Sequence, residues 1–157
     1  MDTLNVFKNY IEQKLMDAKT SLILVDAVRP LFVTMDKSGV FKDTPLTMNP
    51  AKAEDAWMKE ICQNPDIVMA SLIFDGYRYE RDKEAVEKLL KEKPDVDLMD
   101  LPSAEVIHLF LYTREKVFYR FVQYQKQEGQ EGYYFADSGW TENLPFDSSS
   151  ENVFRAS

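Results

Sequence analysis

A single cysteine and a single histidine limit the chemistry that this chain can support. With Cys62 alone no intramolecular disulfide can form, and a zinc site with two His or Cys ligands would need both Cys62 and His108. The sequence contains no H-E-x-x-H, C-x-x-C or phosphate-binding G-x-x-x-x-G-K pattern. Its five glycines form neither G-x-S-x-G nor G-x-G-x-x-G. We therefore exclude zinc hydrolases and the common nucleotide-binding classes, and we expect no cofactor and no metal.

The chain also lacks a long apolar run and a basic patch. No stretch approaches the roughly 20 apolar residues that cross a bilayer, and the first residues lack the apolar centre of a signal peptide. Acidic residues (27) outnumber basic ones (19), which gives a formal net charge of −8. Nucleic-acid binding needs a concentrated basic face. We therefore expect a cytoplasmic protein that binds neither nucleic acid nor a membrane.

Length and composition indicate one folded domain. The 157 residues are 45% hydrophobic and 29% charged, which is typical of globular proteins. A chain of this length buries about two-thirds of its unfolded surface, so it needs no disulfide to fold. From Thr141 onward the sequence is rich in Ser, Asn and Asp. We predict a single domain over residues 1–140 and a loose tail over residues 141–157.

Hydrophobic periodicity predicts a long helix at the start of the chain. Apolar residues recur there at steps of three and four, namely Leu4, Phe7, Ile11, Leu15 and Ala18. The same spacing continues through Leu22 and Val25, so residues 22–28 are either the end of this helix or a separate strand. We favour the helix, because this segment lacks the alternation of a strand.

Turn residues and breakers divide the rest of the chain. In order, they predict a hairpin at 31–36 and 40–42, a helix that begins at Asn49-Pro50, a strand at 67–79, a helix at 82–93, and strands at 105–112, 117–125 and 133–136. Asp75-Gly76 is a candidate bulge in the central strand. The short connection at residues 113–116 predicts that the strands on either side of it are antiparallel neighbours.

This order predicts an α+β fold, in which an antiparallel sheet of about five strands has helices packed on one face. The element order is α-β-β-α-β-α-β-β, with residues 133–136 as a further short strand. If residues 22–28 were a strand, the order would resemble a profilin-like or roadblock-like arrangement. Such a likeness concerns the fold alone and carries no function.

His108 and Cys62 are the first candidates for catalysis. His108 is the obvious general base, but it lies in the middle of a strand, whereas catalytic side chains favour strand ends and loops. Cys62 shares the apolar side of its helix with Met58 and Ile61, which fits an inert buried thiol. We interpret both residues as packed side chains.

Carboxylates follow the central strand, and they suggest an alternative function. The group consists of Asp75, Glu80, Asp82 and Glu84. Paired carboxylates at a strand end can carry out acid–base or magnesium chemistry, and Asp75 beside Gly76 is the most suggestive of them. The alternative is therefore a small hydrolase or lyase with a site near Asp75, in which His108 shuttles protons. Interleaved arginines and lysines favour ordinary surface pairing instead.

The uneven placement of aromatic residues favours a binding function. Twelve of the twenty lie from Phe110 onward, and the strand at 117–125 is apolar on both faces. If helices cover one face, the other must be covered by the tail, by a second copy or by another protein. Tyr and Trp are enriched in interfaces. We predict an interface at Tyr112, Tyr119, Tyr124 and Trp140.

The leading hypothesis is thus a non-catalytic intracellular protein that binds a protein partner, or itself as a homodimer, through an aromatic-rich sheet face. A third possibility is a pocket between the sheet and the helices that holds a small apolar ligand. Trp57 would lie in the lining of that pocket.

Overall fold

The described part of the chain folds into three helices and six strands. The computed structural model describes residues 2–47, 52–79, 83–95, 103–126, 132–142 and 152–154. The elements are, in order, α1 (Thr3–Val25), β1 (Leu31–Asp36), β2 (Phe41–Pro45), α2 (Lys52–Cys62), β3 (Ile67–Tyr79), α3 (Lys83–Glu92), β4 (Ser103–Thr113), β5 (Val117–Lys126) and β6 (Tyr133–Asp137). The predicted helix start at Asn49-Pro50 lies outside the described residues.

All six strands form one antiparallel sheet in the order β2-β1-β3-β4-β5-β6. The α+β class, the element order and the antiparallel sheet confirm the prediction, with six strands instead of about five. Strands β3 and β4 pair without a register shift from Met69–Thr113 to Tyr79–Ser103. The bulge predicted at Asp75-Gly76 is therefore wrong. Gly76 instead leaves room for the ring of His108 on the neighbouring strand.

Residues 22–25 belong to α1, as the periodicity predicted. The Asp2 carboxylate accepts a hydrogen bond from the Leu4 amide (3.0 Å) and caps the start of the helix. The helix ends at Asp26, whose left-handed backbone (φ 59°) lets its amide donate to the Leu22 carbonyl. Because residues 22–28 are not a strand, the condition for a profilin-like or roadblock-like order is not met. Within the described parts of the chain, no helix is long and apolar enough to cross a membrane.

One side of the sheet, here called the α1 face, is covered by α1. The helix contributes Phe7, Ile11, Leu15 and Leu22 to a buried cluster. The strands contribute Val33, Met35, Met69, Ile73, Ile107, Leu109, Leu111 and Val122. Each such buried side chain stabilises the fold by about 1.5–3 kcal/mol relative to exposure. The predicted apolar stripe of the first helix is thus the main cover of this face.

The opposite side, here called the α2 face, carries a second buried cluster. Met58 and Cys62 of α2 lie in it together with Val153 and Phe154. The strands contribute Phe32, Ala70, Leu72, Phe110, Tyr112 and Tyr119. Helices therefore pack on both faces of the sheet, whereas the sequence predicted them on one. The reason is that β3, β4 and β5 carry apolar side chains on both faces of the sheet. Each face must therefore be covered by another element.

Part of the predicted loose tail is packed against the sheet. Residues 152–154 are buried, and the Asn152 side-chain amide donates to the Thr113 carbonyl (2.6 Å). Thr141 pairs with Tyr119 through two backbone hydrogen bonds of 2.7 and 2.8 Å. This segment packs because Val153 and Phe154 bury apolar surface and because the Asn152 side-chain amide is hydrogen-bonded. Residues 143–151 and 155–157 lie outside the described part of the chain.

Candidate binding surface

His108 is enclosed on the α2 face and holds three strands together. Its Nδ1 lies 2.8 Å from the Tyr119 hydroxyl, and its Nε2 lies 3.2 Å from the Tyr77 carbonyl oxygen. Because a carbonyl can only accept, Nε2 carries the proton and Nδ1 accepts from Tyr119. Burial lowers the pKa of His108 to about 4, so that the ring is neutral at pH 7. The interpretation of His108 as a packed residue fits this environment.

Asp75 lies on the other side of the sheet from His108. Phe74 pairs with His108 and stacks on its ring at 4.9 Å between centroids. Successive strand residues point to opposite faces, so Asp75 projects to the α1 face, where its charge acts on Tyr124. Burial raises the pKa of Asp75. The structure therefore does not bring together the two residues that the alternative catalytic function needs.

The remaining carboxylates of that predicted group are Glu80, Asp82 and Glu84. Glu80 and Asp82 lie outside the described residues, and Glu84 is exposed on α3.

Cys62 is fully buried, as its position on α2 predicted. Burial raises the pKa of its thiol to about 12, so the thiolate is not populated near neutral pH. Trp57, on the same helix, is partly exposed, and its ring centroid lies 5.9 Å from that of Phe32. Neither residue has the setting of a reactive or ligand-binding group.

A cavity of about 260 Å³ lies between α1 and the β1–β2 end of the sheet. Its walls include Leu31, Pro45 and Ile73, and a Lys14–Asp43 ion pair of 2.7 Å. Trp57 is not among the lining residues, so this is not the pocket expected from the sequence. Ligand pockets usually measure roughly 300–1,000 Å³, and this cavity is smaller.

Two of the four predicted interface residues are packed inside the chain. Tyr119 is 1% exposed and Tyr112 is 4% exposed. Both belong to the cluster on the α2 face, which α2 and residues 152–154 cover. They contribute to the core on that face and present almost no surface to a partner.

Trp140 lies beside an ion cluster, centred on the buried Arg120, that the sequence did not reveal. The guanidinium of Arg120, only 8% exposed, sits 5.8 Å from the Trp140 ring centroid. It donates to both carboxylates of the cluster, Asp137 (Nε–Oδ1, 2.8 Å) and Glu12 (Nη2–Oε1, 3.2 Å). The only signal in the sequence was a charged residue at an apolar position of a strand. The cluster joins α1, β5 and β6, and so has a structural role.

Tyr124, like Trp140, is a predicted interface residue that is only partly buried. It is half-buried on the α1 face, near the last turn of α1. Burial, together with negative groups on three other elements, raises the pKa of Tyr124 to about 12. The groups around it define what we call the acidic tyrosine surface, namely Asp26, Asp75, Tyr77, Glu105 and Tyr124.

The strand register explains how this surface assembles. Tyr77 of β3 pairs with Glu105 of β4, and Tyr124 of β5 follows on the α1 face. Tyr77 is 52% exposed. At the helix end Asp26 follows Val25 and Leu24, and Leu24 is 75% exposed. The alternation of β3 placed Asp75 and Tyr77 on one face, whereas no pattern in the sequence predicted that Asp26 would join them.

Strand β3 extends beyond its described pairing with β1 at the same end of the sheet. On the β1 side its pairing stops at Leu31–Ile73, while on the β4 side it continues to Tyr79–Ser103. Among the described residues, no strand pairs with β3 beyond Ile73 on the β1 side.

Two tyrosines of the acidic tyrosine surface differ in exposure, Tyr77 being exposed and Tyr124 half-buried. Tyr124 stays protonated at neutral pH and can donate a hydrogen bond, and the exposed Tyr77 combines apolar area with a polar tip. No family model matches this chain, and neither a curated protein nor a solved structure matches it. Function must therefore be inferred from the surface itself.

Proposed function

We propose that this protein is a non-catalytic interaction protein, and that it binds a protein partner through the acidic tyrosine surface. The observation that carries the proposal is the position of Tyr77 and Tyr124 on one face of the sheet, where Tyr77 is 52% exposed and pairs with the exposed Glu105. Tyrosine is enriched in interfaces because its ring buries apolar area while its hydroxyl finds a polar partner. We place the protein in the cytoplasm because the sequence has no long apolar run and its single cysteine is a free thiol.

Exposed apolar side chains at the end of α1 support a protein partner. Ile23, Leu24 and Val25 all leave more than half of their surface exposed, and Asp26 follows them directly. Large apolar side chains that stand together at a surface are typical of interaction sites. A partner that covered Tyr77 and reached the helix end would bury them.

The hydrolase or lyase alternative loses its main support. It required Asp75 and His108 to act together, and the sheet separates them. His108 is also enclosed and neutral, with both ring nitrogens engaged by Tyr119 and Tyr77. A general base must come within hydrogen-bond reach of its substrate, which this position does not offer.

A capture experiment from native lysate tests the proposal. The tagged wild-type protein should retain a partner that the Tyr77→Ser/Leu24→Ser variant loses, since both side chains are exposed and the fold does not depend on them. The matched control is Met16→Ser/Val40→Ser, which removes two apolar side chains elsewhere that are 56% and 60% exposed. The proposal is wrong if the surface variant and the control retain the same proteins in the same amounts.

Size measurement in solution separates a foreign partner from self-association. If the partner is a second copy, wild type and control should be dimers at the concentrations where the surface variant is a monomer. Analytical ultracentrifugation of the three proteins measures this. Tyr119 is not used for substitution, because it is buried and its loss would disturb the core.

A further inference from the structure

We propose that the cavity between α1 and the β1–β2 end of the sheet binds a small zwitterion with an apolar body, which is the chemistry of a free apolar α-amino acid. The site is independent of the proposed function, because none of the residues that line it belongs to the acidic tyrosine surface. Three features carry the proposal: the apolar walls of the cavity, the charges of its lining and its volume.

The cavity has apolar walls from α1 and from three strands. Leu31 of β1, Pro45 of β2 and the buried Ile73 of β3 line it on the sheet side. On the helix side the lining includes Ala18 and Ser21, which lie three residues apart and so share one flank of α1. Because both of these side chains are small, the helix leaves space that larger residues would fill.

Bonds between α1 and β2 hold the cavity in shape. Asp43 of β2 accepts a hydrogen bond from the Tyr10 hydroxyl (2.7 Å) and forms an ion pair with Lys14, one turn further along α1 (2.7 Å). The Tyr10 ring also stacks on Phe41, the first residue of β2, with 3.9 Å between the ring centroids. The cavity is therefore formed in the protein without a ligand, as is usual for small-molecule sites.

The lining carries two positive and two negative side chains. Lys14 and Asp43 are paired with each other. Asp17 and Arg29 form no ion pair or side-chain hydrogen bond with any residue that the structure describes, and both are exposed. Arg29 suits a carboxylate, which its guanidinium can bind through two parallel N–H groups. Asp17 suits an ammonium group.

This balance of charge favours a zwitterion over a simple ion. A lone anion would be attracted by the two positive side chains and repelled by the two negative ones, and a lone cation would meet the reverse. A molecule with both charges can place its carboxylate at Arg29 and its ammonium group at Asp17. Its apolar side chain then lies against the apolar walls and leaves contact with water, which favours binding.

The volume sets the size of the ligand. The cavity measures about 260 Å³, and a water molecule occupies about 30 Å³ in the liquid. The space thus corresponds to roughly nine water molecules, and to an organic molecule with about as many non-hydrogen atoms as leucine. Drug-sized ligands use pockets of roughly 300–1,000 Å³, so this smaller cavity fits a smaller molecule.

Titration with L-leucine tests the proposal. We expect L-leucine to shift the amide signals of Ala18, Ser21 and Leu31 in the ¹⁵N-labelled protein, with a dissociation constant on the order of 1 mM. Three related compounds each lack one feature: 4-methylpentanoate has no ammonium group, 3-methylbutylamine has no carboxylate, and glycine has no apolar side chain. Each of them should bind at least about five times more weakly.

A charge-neutral pair of variants gives the specificity control. Asp17→Asn/Arg29→Gln removes one charge of each sign from the lining. It should weaken L-leucine binding by about tenfold, since each exposed ion pair contributes a factor of up to about five. Lys93→Gln/Glu115→Gln makes the same change at exposed sites outside the cavity, and it should leave the affinity unchanged.

The Ala18→Leu variant fills the cavity from the helix. Leucine is a strong helix former, and its side chain would occupy the space beside Leu31 and Ile73. L-leucine binding should then be lost, while the midpoint of urea unfolding should stay the same or rise, as for other substitutions that fill cavities. If this variant does not fold, the two charge variants decide, because their substitutions are at exposed residues.

The proposal is wrong if L-leucine does not bind, if its shifts map elsewhere, or if either singly charged analogue binds as tightly. An equal loss of affinity in both charge variants, or unchanged binding to a folded Ala18→Leu protein, would also overturn it. Tighter binding of L-leucine than of all three analogues, weakened in Asp17→Asn/Arg29→Gln and not in its control, would support it.

Discussion

The hydroxyl of Tyr119 lies 2.8 Å from Nδ1 of His108, and both side chains are buried. The other ring nitrogen of His108 donates to the Tyr77 carbonyl at 3.2 Å. One imidazole thus links β3, β4 and β5 in the interior, and it can do so only while it is neutral. A second proton on Nδ1 would remove the acceptor for Tyr119 and place a charge in the core.

Folding stability should therefore fall as the pH is lowered from about 6.5 to about 4. The pKa of an unfolded histidine is about 6.5, and that of His108 in the folded protein is about 4. Between these values the unfolded chain binds a proton that the folded chain does not, so the contribution present above pH 6.5 is lost as the pH falls through 4. The full effect is on the order of 3 kcal/mol. Urea unfolding at a series of pH values measures it.

The His108→Gln variant is the control for this dependence. It should be less stable than wild type at neutral pH, but its stability should change less over the same range. The pKa of Asp75 is raised, which stabilises the fold as the pH falls, and that of Asp137 is lowered, which acts below about pH 4. Both carboxyls remain in the variant, so the difference between the proteins isolates His108. Parallel pH curves would refute its role.

Gly76→Ala should destabilise the protein, although its backbone is that of an ordinary strand. A Cβ at this position would lie 3.2 Å from Nε2 and 3.3 Å from Cδ2 of His108, and the hydrogen bonds of the ring prevent it from moving aside. We expect a loss of about 1–3 kcal/mol, as for other overpacked sites. In His108→Ala the space is open, so Gly76→Ala should cost less there. A double-mutant cycle by urea unfolding measures the coupling, and additive effects would contradict the contact.

The contact between Gly76 and His108 also explains an error of prediction. A glycine inside a strand suggested a bulge at Asp75-Gly76, yet the register there is continuous. The glycine makes room for a side chain 32 positions further along the chain, on the neighbouring strand. Local patterns cannot contain that information, because it depends on how β3 and β4 are paired.

The structural features that could be predicted from the sequence are those that depend on local patterns along the chain. The apolar stripe from Phe7 to Leu22 predicted α1 and its buried side, and the short connection at residues 113–116 predicted that β4 and β5 are antiparallel neighbours. The face on which α2 packs could not be predicted, because both sides of the central strands are apolar. For the same reason Tyr119 was assigned to an interface, although α2 and residues 152–154 bury it. Only Tyr124 remains at the candidate surface.

Cys62 should be unreactive in the native protein. Its side chain is fully buried, and burial raises the pKa of the thiol to about 12. Because the thiolate is the reacting form, labelling should require unfolding of the region around α2. We expect the labelling rate with a thiol-specific reagent to be at least about a hundredfold below that of free cysteine, and to rise steeply in urea. Rapid native labelling would mean that α2 opens readily from the sheet.

Arg120 should contribute more to stability than any exposed ion pair in the chain. Its guanidinium is 8% exposed and donates to both Glu12 and Asp137. Arg120→Met keeps much of the apolar stem but leaves the Asp137 carboxylate without its main partner. Fully buried pairs cost 3–5 kcal/mol when one partner is removed. Because both carboxylates are partly exposed, we expect a loss of about 2–3 kcal/mol, measured by urea unfolding.

The matched control is Lys116→Met, which breaks an ion pair with Glu142 in which both side chains are 59% exposed. Exposed pairs contribute about 0–1 kcal/mol and are screened by salt. The loss in Arg120→Met should therefore persist at high salt, whereas any loss in Lys116→Met should vanish. Equal losses in the two variants would mean that the Arg120 cluster is no stronger than a surface pair. In that case the connection of α1 to β5 and β6 would depend on apolar packing alone.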